Sequence, residues 1–211
     1  MLIDKSIEMK KPILFMLTCI SLILLSTCKK VTNDLKNEIE ITQSTINNAA
    51  KVAKEAPKTQ DKMEKLKELP HLTKVQFESW LPKTLLDLPL SSSSINMLPG
   101  VGSCGSNYNI GNKRIRVMII DGAGERGASA VGTYMFSSQM DYDEETSYGY
   151  IKSRFVDGMK LKETYSKGND KYNISMFYAE RFAVDVETQE VKHEDIDKII
   201  KELKLQQLTN F

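Results

Sequence analysis

The sequence predicts an α+β fold, in which an antiparallel β-meander sheet carries an inserted helix and a C-terminal helix and is preceded by a helical tether. Two turn signals and one amphipathic stripe favour this fold. The Asp157-Gly158 and Gly111-Asn112 dipeptides are typical of tight hairpin turns, and each lies between two strand-like runs. Over 193–207, apolar residues recur at helical spacing. We expect the helices on one face of the sheet.

The first element expected after the N-terminal 27 residues is a tether over 28–69. Residues 29–69 are highly charged and contain no aromatic residue and no glycine. Val31, Leu35 and Ile39 recur at four-residue spacing, and small residues continue a thin apolar stripe. So narrow a stripe is typical of a solvated or weakly docked helix. The alternative is a helix that pairs with a partner protein. The globular domain is expected over 70–211.

A short helix is predicted to open that domain. Thr73 and Gln76 have the spacing of a capping box, and Pro82 ends the helix. Its apolar positions are Val75, Phe77, Trp80 and Leu81. Trp80 is the only tryptophan and is expected in the core. The run Ser91–Ser94 that follows predicts an exposed loop.

The sheet is expected to begin near Cys104. Predicted strands are 104–110, 114–121, 148–156, 159–165, 171–178 and 181–187. The last four form a meander, and a helix over 128–137 is inserted before it. In the second strand, Ile115, Val117 and Ile119 are expected to point to one face of the sheet. Arg114, Arg116 and Met118 point to the other.

The predicted C-terminal helix has a buried face and a favourable first turn. Its buried positions are Ile196, Ile199, Ile200 and Leu203. Glu194 and Asp195 lie in the first turn, where the helix dipole favours negative charge.

Charge balance bears on possible partners. The chain has 29 basic and 28 acidic side chains. The N-terminal 27 residues contain Lys5, Lys10, Lys11, Asp4 and Glu8, so the remainder is neutral with its histidines uncharged. A one-sided positive field is therefore missing, and we expect no nucleic-acid partner.

One motif resembles a dinucleotide site in its letters. Gly122-Ala123-Gly124-Glu125-Arg126-Gly127 matches G-x-G-x-x-G directly after a predicted strand. The fingerprint also requires a second parallel strand ending in an acid, and here a polar stretch and antiparallel hairpins follow. The sequence therefore favours a structural strand-to-helix turn, and we expect no cofactor.

Other candidate sites are weak. Asp141, Asp143, Glu144 and Glu145 could hold a hard cation, but they lack the other ligands and the glycine of an EF-hand loop, so a solvated loop is the simpler interpretation. The two histidines, His71 and His193, lie far from each other in sequence and near no other soft ligand. The sequence identifies no catalytic residue and no metal site.

The tyrosines are dense in the sheet region. They are Tyr142, Tyr148, Tyr150, Tyr165, Tyr172 and Tyr178. They either line a ligand groove or follow from the preference of strands for aromatic residues. Only an exposed patch would distinguish the two.

The N-terminus has the parts of a secretory signal peptide. Lys10-Lys11 precede the apolar run 13–25, which is too short to span a bilayer as a helix, and Ser26-Thr27-Cys28 follow. Leu25-Ser26-Thr27-Cys28 resembles the lipobox of bacterial lipoproteins. Thr27 stands where that family mostly has glycine, alanine or serine. Translation from Met9 instead of Met1 would give a more ordinary leader, because it removes Asp4 and Glu8.

The resemblance implies that residues 1–27 are removed and that Cys28 carries the lipid. The alternatives are an uncleaved membrane anchor and a leader that is cut at another position. If Cys28 carries the lipid, Cys104 is the one cysteine of the mature domain besides Cys28, because Cys19 lies in the leader. We expect Cys104 to be a buried, unreactive thiol in a strand; an intermolecular bridge or a reactive nucleophile is the alternative.

The resemblance also implies a location in the cell envelope. Lys29 is not the aspartate that retains lipoproteins at the inner membrane in the best-known sorting rule, which favours the outer membrane. Lys29-Lys30 with Asp34 also resembles the start used by some groups for surface display. A surface and a periplasmic orientation both stay open.

These expectations define three functional hypotheses. The first is a membrane-anchored lipoprotein whose domain is a non-enzymatic binding or structural module with a possible protein partner. The second is a carrier of a small apolar ligand on the sheet face, which requires an apolar cavity there. The third is a hydrolase, which requires a polar triad around His71 or His193.

Overall fold

Nine strands and four α-helices form the part of the chain that the computed structural model describes, residues 43–211. The predicted leader, Cys28 and the first part of the tether lie outside these residues. The strands are β1 (Thr84–Leu85), β2 (Leu88–Ile95), β3 (Ser103–Ile110), β4 (Lys113–Asp121), β5 (Asp143–Thr146), β6 (Gly149–Val156), β7 (Met159–Ser166), β8 (Lys171–Tyr178) and β9 (Phe182–Gln189). The helices are α1 (43–67), α2 (Lys74–Trp80), α3 (Glu125–Gln139) and α4 (Ile196–Glu202).

All neighbouring strands run antiparallel in a sheet of order β1-β2-β3-β4-β9-β8-β7-β6-β5. Strands β1 to β4 follow one another from one edge of the sheet to its middle. Helix α3 then crosses to the other edge, and the meander β5 to β9 returns from that edge to the middle. Strand β9 joins the two halves of the sheet, because it pairs with β4 over eight residue pairs. The predicted α+β meander with an inserted helix and a C-terminal helix is confirmed.

The two predicted hairpin turns are present. Val156 pairs with Met159, and the intervening Asp157 and Gly158 have φ values of 48° and 78°. Ile110 pairs with Lys113 across Gly111, whose φ is 58°. Left-handed backbone is what glycine and aspartate tolerate, so the local sequence alone determines these reversals.

The larger core lies between one face of the sheet and the α2 and α4 helices. The predicted alternation in β4 is confirmed, because Ile115, Val117 and Ile119 are buried there. The α4 side of this core is formed by Ile196, Ile199, Ile200 and Leu203, as predicted. Trp80 is buried, and its indole Nε1 donates to the Leu203 carbonyl at 2.9 Å. The indole thereby buries a large apolar ring and satisfies its only donor.

The opposite face of the sheet is also covered, so the expectation of helices on one face is wrong. A second apolar cluster consists of Leu66, Ala128, Val131, Met135 and Ala183. Helix α3 has an apolar stripe of its own, and the alternate positions of the central strands are apolar too. Ala183, for example, pairs with Ile120 on one side and Phe177 on the other. Both faces therefore had apolar surface to bury.

Helix α1 is docked more firmly than its sequence predicts. From residue 47 onward it belongs to the same compact unit as the sheet, whereas the sequence placed the start of the domain at residue 70. Leu66 is buried, and its carbonyl accepts from the Gly124 N–H at 2.9 Å. The Gln139 amide donates to the buried Thr59 hydroxyl at 2.7 Å. Within residues 43–211, no helix is long and apolar enough to cross a membrane.

Several local predictions need correction. The capping box at Thr73 and Gln76 is present, but Val75 is 72 % exposed and does not join the core. Ser91–Ser94 belong to strand β2 and not to a loop, because Ser92, Ser93 and Ser94 pair with β3. The C-terminal helix is interrupted at Lys204, whose φ of 48° begins a separate 3₁₀ turn over Leu205–Asn210.

A buried ion pair joins the elements at the end of β4. Asp121 has no exposed surface, and both its oxygens accept from the Arg181 guanidinium, at 2.7 Å from Nε and 2.8 Å from Nη2. The backbone N–H groups of Leu72 and Ala123 donate to the same carboxylate at 2.7 and 3.0 Å. Arg181 Nη2 also donates to the Pro70 carbonyl at 3.1 Å. Four donors thus offset the cost of burying this charge.

We expect Arg181→Met to lower the free energy of unfolding by about 3–5 kcal/mol, because it leaves a buried carboxylate without its counter-ion. Adding Asp121→Asn should restore part of that loss, since the amide carries no charge. Chemical denaturation of the two variants measures both effects.

The matched control is Arg114→Met, because Arg114 is exposed on the same sheet and has no ion pair within the described part of the chain. It should change stability by no more than about 0.5 kcal/mol. Strictly additive losses in the double variant would contradict a direct coupling between Asp121 and Arg181.

Candidate functional site

A second buried carboxylate, that of Glu163, is the centre of the densest cluster of titratable groups on the larger core. Strand β7 places Leu161, Glu163 and Tyr165 on one face, and Glu163 is only 1 % exposed. A charge so deeply buried requires partners. They come from strand β6 and from the segment that leads into α4.

Three side chains donate to Glu163. The Tyr150 hydroxyl lies 2.6 Å from Oε1, His193 Nε2 lies 2.8 Å from the same oxygen, and Arg154 Nε bonds to Oε2. The second end of the Arg154 guanidinium donates to Asp197 at 2.6 Å. The cluster therefore ties β6 and β7 to the C-terminal helical segment through charge-assisted hydrogen bonds.

Burial and these hydrogen bonds shift the pKa values of Tyr150 and Arg154. Burial, reinforced by the hydrogen bond to Glu163, raises the pKa of the Tyr150 phenol. Burial alone would lower the pKa of Arg154, but its hydrogen bond to Asp197 and the charge of Glu163 outweigh it and raise that pKa. Tyr150 stays a neutral donor and Arg154 stays a cation, which keeps the cluster intact.

Three of the predicted tyrosines form a row beside this cluster. Tyr150, Tyr165 and Tyr172 are direct neighbours across β6, β7 and β8, with ring centroids 5.5 and 4.6 Å apart. The ring of His193 follows at 5.5 Å from Tyr172. Tyr148 stands apart at the β5–β6 turn and is 82 % exposed. The row is mainly sheet packing, and Tyr148 is the exposed tyrosine of residues 43–211.

The Glu163 cluster has acid–base groups but no serine, threonine or cysteine side chain bonded to them. Among residues 43–211, no hydrogen bond joins either histidine to a serine, threonine or cysteine side chain. His71 instead contacts the Leu72 carbonyl through Nδ1 at 3.0 Å. Within residues 43–211, the hydrogen bonds of His71 and His193 do not form the polar triad on which the hydrolase hypothesis depends.

The glycine motif is explained by close packing at the start of α3. A Cβ added to Gly122 would lie 2.6 Å from the Arg181 carbonyl oxygen, and one added to Gly127 would lie 2.6 Å from that of Asp121. Gly124 has a φ of 80° and precedes the helix. Strand β4 also has antiparallel neighbours on both sides. The close contacts at Gly122 and Gly127 and the positive φ at Gly124 account for the three glycines as parts of a tight strand-to-helix turn.

The acidic stretch was expected as a solvated loop, but part of it is strand β5. Asp141 is held by Lys51 and by Lys160, the latter at 2.7 Å. These hydrogen bonds, that of Lys160 first, lower the pKa of Asp141. Within the described residues, no group of three or more potential ligands could hold a metal ion.

Cys104 lies in β3, where it was expected to be buried, and is 1 % exposed. Burial raises the pKa of its thiol to about 11. A thiol with so little thiolate at neutral pH is a poor nucleophile. The buried and unreactive interpretation is therefore favoured over the reactive one.

The face proposed for an apolar ligand is occupied by the protein itself. Trp80, Ile196, Ile199 and Leu203 fill it as part of the larger core. Three open grooves lie elsewhere: about 280 Å³ between α1, α3 and β8, about 340 Å³ over Arg116 and Glu187, and about 260 Å³ at the ends of β5, β6 and β7. None of these is an enclosed apolar cavity, so we do not pursue the carrier hypothesis.

The sequence analysis did not predict that Asp121 and Glu163 are buried, although the sequence contains a signal for it. Asp121 continues the inward series of Ile115, Val117 and Ile119, and Glu163 is two residues from Leu161 in the same strand. An acid in a core-facing position of a strand indicates a buried ion pair. The partners, Arg181 and His193, had no comparable signal.

Comparison with known proteins yields no relative. No protein-family model matches the chain, and neither does any curated protein or solved structure.

Two glycines of α3 allow a paired test of the turn. Gly127→Ala should lower the free energy of unfolding by about 1–3 kcal/mol, because the added methyl group meets backbone atoms. Gly132→Ala should raise it by about 0.5–1 kcal/mol, since its new Cβ would be 3.8 Å from the Met63 methyl and alanine favours a helix. Thermal denaturation compares the two, and equal effects would contradict the packing explanation.

Cys104 predicts a pH dependence of stability. The unfolded thiol ionises near its ordinary pKa of 9.0 and the folded one at about 11. Its contribution to the free energy of unfolding is therefore fully present below pH 9. About 2 kcal/mol of that contribution is lost as the pH rises towards 11. The stability gap between the native chain and Cys104→Ala should narrow over that interval, as measured by urea denaturation. Parallel pH curves would contradict the prediction.

Proposed function

We propose that this protein is a membrane-anchored envelope lipoprotein whose α+β unit is a non-enzymatic binding or structural module. The observation that carries the anchor is the leader that ends in Leu25-Ser26-Thr27-Cys28. A basic start, a short apolar run and a cysteine after small residues are the parts of a lipoprotein signal. In this proposal Cys28 carries the lipid and holds the protein at the membrane.

The hydrogen bonding of the two buried carboxylates supports a module without catalytic activity. Asp121 and Glu163 each receive at least three hydrogen bonds from within the chain. Such saturated carboxylates rigidify a fold, whereas a catalytic base needs an unoccupied side that faces its substrate. The exposed sheet edges and grooves are left for contacts with other molecules.

The proposed location is the cell envelope, with the outer membrane favoured over the inner. Lys29 follows the proposed lipidated residue, in a position where aspartate directs retention at the inner membrane in the best-known sorting rule. Attachment to the membrane is through the lipid on Cys28, and we propose no nucleic-acid partner because the charges balance.

Cys28→Ala should abolish labelling by an alkyne analogue of palmitate and release the full chain from the membrane fraction, because it removes the acylated thiol. The matched control is Cys104→Ala, which removes a buried thiol and should leave labelling unchanged. Labelling of Cys28→Ala at the native level would contradict the proposed anchor.

The same cells give the location. Density fractionation should place the native chain in the outer membrane, and recovery in inner-membrane fractions would contradict that part of the proposal. Protease treatment of intact cells then distinguishes surface display, in which the domain is digested, from a periplasmic orientation, in which it is protected.

A further inference from the structure

Strand β5 is an open edge of the sheet. It lies last in the strand order, pairs with β6 alone, and all four of its residues are exposed. An open edge presents unpaired backbone donors and acceptors to which another extended chain can add.

The register determines which backbone groups face outward. Glu144 pairs with Ile151, and two residues further along each strand the Ser153 N–H donates to the Tyr142 carbonyl at 2.8 Å. In an antiparallel ladder, residues directed at the partner strand alternate with residues directed away from it. Asp143 and Glu145 therefore direct their N–H and C=O groups to the open side.

The side chains of this edge are acidic on both faces. Asp143 and Glu145 project to one face and Glu144 to the other. Glu145 bonds to Lys152 at 3.1 Å, whereas Asp143 and Glu144 form no ion pair within residues 43–211. A second copy of this edge would place like charges opposite each other, which is unfavourable. A strand with basic side chains would be complementary.

The end of the edge offers a site for a cation. A groove of about 260 Å³ runs past Glu144, Thr146, Tyr148 and Tyr150. Tyr148, which is 82 % exposed, is on the turn that ends β5. A lysine or arginine side chain lying over its ring would gain a cation–π contact in addition to the acids.

The opposite edge of the sheet lacks this selectivity. Strand β2 presents Ser91–Ser94, which carry no charge, and β1 covers its first residues. Between the two edges, only β5 combines a free backbone with charges that select the partner.

We propose that β5 binds an extended basic segment of a partner protein, which adds to the sheet as a tenth strand. This inference rests on the binding-module part of the proposed function. The partner's backbone pairs with Asp143 and Glu145, and its lysine or arginine side chains contact the acids and Tyr148. A contact with so few residues is weak and salt-dependent.

The test uses the full chain and a fluorescent peptide of about ten residues that alternates lysine with threonine. Fluorescence anisotropy should show binding that weakens as salt is added, because the attraction is electrostatic. A peptide that alternates glutamate with threonine is the control probe. Equal binding of both peptides would overturn the proposal.

Charge reversal locates the site. Asp143→Lys with Glu144→Lys should weaken binding of the basic peptide about tenfold, because two attractive cross-strand pairs become repulsive. The matched control is Asp61→Lys with Glu68→Lys, which makes the same charge change on exposed positions of α1 and the turn after it. An equal loss in both double variants would mean non-specific attraction and would overturn the site.

A backbone substitution separates strand addition from simple charge attraction. Glu145→Thr removes one charge, and Glu145→Pro also removes the outward N–H without disturbing the bonds to β6. We expect the proline variant to bind about fivefold more weakly than the threonine variant. Equal affinities in folded variants would overturn strand addition, with the melting temperature reporting the fold.

Hydrogen exchange gives a readout that needs no variant. Peptide binding to the native chain should slow exchange at the Asp143 and Glu145 amides, since these would become hydrogen-bonded. Slowing confined to other segments, or dimerisation of the chain through this edge, would contradict the proposal. Peptide binding should be the same in Cys28→Ala, so failure of this inference and failure of the anchor are separate results.

Discussion

The carboxylate of Asp121 is the constraint on which the remaining architecture depends. It ends the central strand β4, and it is the point at which the α1–α2 connection, the β8–β9 turn and the start of α3 meet. Its burial is tolerable only while Arg181 and two backbone N–H groups remain in place. One carboxylate thus couples three connections that are distant in sequence, and it fixes where the crossover leaves the sheet.

The crossover explains why the sheet is covered on both faces. Because β4 lies in the middle of the sheet and β5 at its edge, the connecting helix must pass over the strands between them. It does so on the face opposite α2 and α4, where Ala183 and neighbouring apolar positions receive it. Helix α1 then fits beside α3 through Leu66. The route of one connection therefore determines the second core.

Two kinds of acidic side chain differ in their surroundings. Asp121 and Glu163 are buried and saturated, and they hold elements together. Asp143 and Glu144 are exposed and lack ion pairs within residues 43–211, and they lie beside free backbone groups at the edge. Burial of Asp121 and Glu163 costs desolvation energy, but their hydrogen bonds favour one arrangement of the elements that they join. Asp143 and Glu144 cost nothing to expose and can select a partner by charge.

The sequence by itself determined what depends on local geometry. The turn at Asp157-Gly158 needs left-handed backbone, the capping box at Thr73 needs a three-residue spacing, and the inward face of β4 follows from a period of two. Only the tertiary structure decided that Glu163 pairs with His193 and that residues 143–146 form a strand. The first joins residues 30 positions apart, and the second places poor strand formers in a strand because β6 offers them a ladder. Such choices depend on register, and no local pattern encodes it.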